Sequence, residues 1–203
     1  MNSFFDLENP LWSFLGKLTD VFILSLLWFI CSIPIITIGA STSALYYCTL
    51  KLSVDKEGYT VKSFFGAFRN NFKQGTIAWI ILLFVGGLLY FDLMWSFQTG
   101  GTMGKSMLLV FGVTLLLYFM VSAYVFPLIA RCESKLKNIF IWAFVMSIRN
   151  IHISIVLVAL TIGLFFIGFF VFWPIFFIGM GFLAFIQAYF INLVFKKYKL
   201  ELS

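Results

Sequence analysis

A chain of 203 residues is long enough for one soluble domain, but 62% hydrophobic and 11% charged residues, with a mean hydropathy of +1.04, exclude a water-soluble surface. The net charge of +6 does not point to nucleic acid, because the 14 basic residues gather at the ends of apolar runs, where they meet anionic headgroups. We therefore expect a single all-α, polytopic transmembrane bundle over 1–203, with the lipid bilayer as its first partner.

The N-terminus carries Asp6 and Glu8 in place of a basic leader, so the first apolar run is expected to be retained and not cleaved as a signal peptide. Asn9-Pro10 reads as a helix start, with a capping side chain before a proline at the first helical position. About 20 apolar residues cross the roughly 30 Å hydrocarbon layer, and charge-free runs measured against that length give five spans. They lie near 20–37, 76–96, 106–130, 151–172 and 175–195. The last two come from one run, 153–195, about 65 Å long as a helix, which must fold back. Trp173-Pro174 is the expected turn, since proline ends a helix and tryptophan favours the headgroup boundary.

Pro34 and the small polar run behind it predict a break or a close helix crossing at the end of the first span. Pro34, Thr37, Gly39, Ala40, Ser41, Ala44 and Tyr46 are thus a candidate functional or packing segment. Near 60–73, Phe64, Phe65, Phe68 and Phe72 share one helical face, away from Lys62, Arg69 and Lys73, which fits either an interfacial helix or a connecting one. A comparable segment occupies 138–150. Phe68-Arg69-Asn70 and Ile148-Arg149-Asn150 align at an offset of 80, which raises a parallel duplication of spans one-two and three-four.

Lysine and arginine number five in the loop at 51–75, four at 131–150 and three in the tail, against Lys17 and Lys105 elsewhere. With five passes, the positive-inside rule sets the N-terminus outside and the C-terminus in the cytoplasm of a cell-membrane protein. Lys62, Arg69, Asn71, Lys73, Arg149 and Asn150 are then candidate contacts on the cytoplasmic face.

Residues suited to chemistry are sparse. His152 is the only histidine, and Cys31, Cys48 and Cys132 have no metal-ligand or redox spacing, so neither a catalytic site nor a metal or other cofactor is expected. The carboxylates fall in loops or near span ends, Asp92 being the nearest to a span interior, which weighs against proton coupling at the midplane. Ser25, Ser32, Thr114, Ser122, Thr161, Gln187 and Asn192 inside the spans are expected to join helices by hydrogen bonds, while Gly181, Ala184 and Ala188 let the fifth span pack closely.

The stretch Cys31 to Tyr47, followed by Glu57-Gly58-Tyr59 and by Phe64 to Gln74, resembles the YesL-like family of bacterial membrane proteins, a domain of unknown function. The likeness is most specific over 17–80. The resemblance implies a gene encoded beside those of carbohydrate-uptake ABC transporters and polysaccharide-degradation enzymes, and it carries over no catalytic residue. The expected function is accordingly a non-enzymatic accessory to carbohydrate uptake, with a small autonomous transporter or channel as the alternative; the sequence leaves the oligomeric state open.

Overall fold

The computed structural model describes residues 10–54, 59–170 and 174–198, without the side chains of 10–14 and 175–177. Asn9, Glu57, Gly58 and Trp173, on which parts of the sequence reading rest, lie outside these residues. Seven α-helices and no strand occur among the described residues: α1 (Pro10–Ser32), α2 (Ile38–Leu52), α3 (Thr60–Thr99), α4 (Gly101–Arg131), α5 (Leu136–Arg149), α6 (Ile151–Phe170) and α7 (Ile175–Lys197). Five of them, α1, α3, α4, α6 and α7, are long and apolar enough to cross a bilayer. The all-α, multi-pass bundle is therefore as expected.

The first span is displaced from its expected bounds. α1 runs from Pro10 to Ser32, and a single 3-10 turn, Ile35–Thr37, follows Pro34. Proline at 34 cannot donate to the turn before it; Pro34 O accepts from Thr37 N at 2.9 Å, and Thr37 Oγ1 lies within hydrogen-bond reach of Cys31 O at 2.6 Å and of Pro34 O at 2.7 Å. The small-residue run then forms a helix of its own, α2, with Gly39 to Tyr46 continuously buried. The sequence reading anticipated the break and the close crossing, but not a separate buried helix.

Side-chain contacts fix the relative sense of the helices. Ser32 Oγ lies 2.6 Å from Ser41 Oγ, and Trp28 Nε1 donates to Thr42 Oγ1 at 3.1 Å, so α1 and α2 form a hairpin. At its other end Thr60 donates to Asp20 at 2.8 Å while Cys48 touches the Thr60 carbonyl, and Gly75 meets Gly39, so α2 and α3 also run in opposite senses. α4 returns beside α3, with Tyr118 Oη on Leu82 O at 2.8 Å and Gln74 reaching Ser134 O at 3.0 Å. The α3–α4 turn is tight because Gly100 and Gly101 both take positive φ, 61° and 62°, which side chains disfavour.

α7 runs parallel to α2, since Tyr46 meets Gln187 and Leu50 meets Asn192. It pairs against α6 through Gln187 with Leu157 and Lys197 with Asn150. One end of the bundle thus gathers the starts of α3 and α6 and the ends of α2, α4 and α7. α1 shares the sense of α3.

The stretch at 60–73 is the first part of the 40-residue helix α3, about 60 Å long, and not a separate element. Its counterpart α5 is separated from α6 at Asn150, which leaves the helical region of φ and ψ. The duplicated segments therefore differ in architecture. The one helix between α4 and α6 is α5, the counterpart of the 60–73 stretch, so α2 itself has no match there.

Candidate functional site

Because α2 is enclosed, its sequence is dictated by what surrounds it. Gly39 and Gly75 put two backbones in contact: a Cβ on Gly75 would lie 2.8 Å from Gly39 O and 2.9 Å from Ala40 Cα, closer than carbon atoms pack. Ala40 and Ala44 are wholly buried beside them. Ser41, Thr42, Ser43 and Thr49 turn their hydroxyls back onto carbonyls of the same helix, at 3.0, 2.6, 2.9 and 3.0 Å. A polar-looking run is thereby made compatible with an apolar interior. The same device recurs where Gly181 sits under Ser25 and α7 approaches α1.

Tyr46 opens a buried polar chain. Its hydroxyl donates to Gln187 Oε1, and Gln187 Nε2 donates to Leu157 O and to Thr161 Oγ1, both at 2.9 Å. One glutamine so joins α2, α6 and α7, its amide on α7 satisfied by partners from the other two helices. A second hub lies at the basic end, where Asn192 donates to Leu50 O at 3.2 Å and Ser53 Oγ at 2.7 Å and accepts from Arg131 Nη1 at 2.8 Å. Gln187 and Asn192 were expected to join helices; their partners were not legible in the sequence.

The candidate residues do not form a single constellation. Pro34 is exposed in the α1–α2 connection, and Thr37 is half-buried there. Gly39, Ala40, Ser41, Ala44 and Tyr46 are buried in α2. Lys62, Arg69 and Lys73 are exposed on α3, with Asn71 half-buried. Arg149 is exposed and lies over the Tyr198 ring at 5.9 Å, whereas Asn150 is buried, accepts from Lys197 at 3.3 Å and donates to Met146 O. The phenylalanine face at 60–73 is split: Phe64 is fully buried and Phe68 half-buried, but Phe65 and Phe72 are exposed with the basic residues.

A cavity of about 680 Å³ lies between α1, α2, α3, α4, α6 and α7, with Trp28, Thr42, Tyr46, Trp79 and Tyr118 in its wall. Except for Tyr46, within the candidate segment, and Ser122 and Thr161, read as helix-joining residues, the sequence reading did not single out its lining. Among the described residues no three His, Cys, Asp or Glu side chains gather as a metal site.

The family model DUF624, described as a protein of unknown function, matches residues 21–93. The DUF624 match covers less than half of the chain, but it takes in most of α1, all of α2 and most of α3, hence the hairpin, the Gly39–Gly75 crossing and the exposed basic stripe. Neither the curated proteins nor the solved structures contain a match to the chain.

Proposed function

We propose that this is a non-enzymatic cell-membrane protein, YesL-like within the DUF624 match, that serves carbohydrate uptake by docking an ABC-type transporter through a basic cytoplasmic end. The observation that carries this reading is the exposed stripe of α3, where Lys62, Phe65, Arg69, Phe72 and Lys73 recur at helical spacing and alternate cationic with aromatic side chains. Such a stripe supplies both the aromatic anchors and the charge of a protein interface. Charge reversal at Lys62, Arg69 and Lys73 together is expected to abolish copurification of a transporter and to lower oligosaccharide uptake to the level of a gene deletion. Unchanged uptake in the deletion strain, with no transporter copurifying, overturns the proposal.

The orientation belongs to the same proposal. Because α1 shares the sense of α3, the N-terminus falls on the side of the basic loops, and both termini face the cytoplasm. This replaces the N-outside expectation, which counted an odd number of passes and allowed for no return helix. Of the 14 basic residues in the sequence, only Lys105 then belongs to the outer side, a stronger bias than the earlier one.

The alternative of an autonomous transporter or channel draws support from the cavity enclosed by six helices. Flux of sugars or ions across proteoliposomes containing the protein alone distinguishes it from the accessory role.

A further inference from the structure

The cavity falls within the size range of small-molecule sites, at about 680 Å³, and its chemistry restricts what it can hold. No charged side chain is among its lining residues. Each of its hydroxyls already donates inside the protein. Thr42 donates to Ile38 O, Tyr46 to Gln187, Tyr118 to Leu82 O, Ser122 to Phe119 O and Thr161 to Leu157 O. A sugar or a hydrated ion entering this space would give up its water and find these hydroxyls engaged, at a cost of several kcal/mol; among the lining donors only Trp79 Nε1 is buried without a partner, one donor against the several a sugar or ion would need. A hydrocarbon chain would lose nothing.

The cavity also has a way in from the side. α4 and α6 are joined near the basic end, where Ser154 Oγ lies 3.2 Å from Tyr124 Oη. Beyond that point three lining residues on these two helices, Phe119, Ile162 and Phe165, are 39%, 55% and 52% exposed. Both helices are long and apolar enough to cross a bilayer, so lining residues exposed on them meet lipid and not water.

We propose that the cavity is a binding site for the hydrocarbon tail of a membrane amphiphile, entering laterally between α4 and α6, with Trp28, Trp79 and Phe165 as its aromatic walls. The site is independent of the docking stripe on α3. Two sources supply this chemistry, a phospholipid acyl chain and the polyprenyl chain of a lipid carrier.

Native mass spectrometry of the protein purified in mild detergent is expected to show about one retained amphiphile per chain, as a single pocket of this size dictates, and its mass tells phospholipid from polyprenyl carrier. Ala123→Phe, which places a ring in the cavity, is expected to lower retention about fivefold while the unmodified chain keeps its ligand. Retention of detergent alone, or equal retention in the filled variant, overturns the proposal.

A second measurement does not depend on that variant folding. In nanodiscs of lipid brominated along its acyl chains, a chain keeping only Trp79 is expected to be quenched nearly as strongly as one keeping only the lipid-facing Trp95, which is 69% exposed. A Trp79 protected from quenching overturns it as well.

Discussion

The backbone contact between α2 and α3 gives the sharpest test of how this bundle is held together. In Gly75→Ala the new methyl would sit 2.8–2.9 Å from Gly39 O and the Ala40 backbone, where ordinary contact needs about 3.6 Å, so the helices must part by roughly 0.7 Å. A gap of that size forfeits about a quarter to a half of each affected dispersion well. Lipid supplies no hydrophobic force to close it, because the tails are as apolar as the helix faces. Alanine's gain of about 1 kcal/mol in helix propensity offsets part of an overpacking cost of about 1–3 kcal/mol, leaving a net loss of up to about 2 kcal/mol.

Gly66→Ala on the same helix is the control. Nothing lies within 4 Å of its added Cβ, so it is expected to be neutral or stabilising by about 0.5–1 kcal/mol. Unfolding in mixed micelles, followed by near-ultraviolet circular dichroism, measures both. Gly39→Ala forces the same two helices apart, and further, since its Cβ would fall closer still to Gly75 O and 2.6 Å from Trp79 Cβ; because both variants open one crossing, the double variant should cost clearly less than the two added together. If Gly75→Ala unfolds with Gly66→Ala, or the two crossing variants are additive, the contact does not govern stability and the reasoning fails.

Other outcomes follow from the polar hubs and the loops. Tyr46→Phe removes the donor to Gln187 and is expected to cost about 0.6–1.7 kcal/mol in the same unfolding assay, and Gln187→Leu more, because it takes the partner from groups on both α2 and α6. Asn192→Ala, which cuts the tie between α2, α4 and α7, should cost about 1–3 kcal/mol. Reporter fusions at the N- and C-termini should both signal from the cytoplasm; an N-terminal reporter active only outside contradicts the shared sense of α1 and α3. Burial pushes the Cys132 thiol up, and the nearby Arg131 only partly opposes it. In a variant keeping only this cysteine, maleimide labelling should be slow at neutral pH and still rise with pH beyond the usual thiol range, since the thiolate is the reactive form.

Much of the membrane architecture was legible, because the length of an apolar run is a direct physical measure of whether it crosses lipid. The hairpin of the last two spans followed from one run too long for a single crossing. α2 was not legible as a helix because no charge separates it from α1 between Asp20 and Lys51. Only Pro34 marks the boundary, and hydroxyls that fold back onto their own carbonyls disguise buried helix as polar loop. The change of orientation we propose has the same origin, since one return helix reverses the parity of the count. The cavity was invisible because its walls come from six helices, and no local pattern says that Trp28, Trp79 and Tyr118 face one space.

The enclosure of α2 also sets an order of events during synthesis. Tyr46 finds its partner Gln187 a full 141 residues later in the chain, on α7. At about 5–20 residues per second, α2 must wait roughly 7–28 seconds before α7 covers it. Throughout that interval a short helix of small and hydroxylated residues, poorly suited to lipid, has to be sheltered by the hairpin with α1 and by the first turns of α3. A nascent chain stalled before α7 would leave that helix unsheathed, and should be recognised by membrane proteases as unfinished.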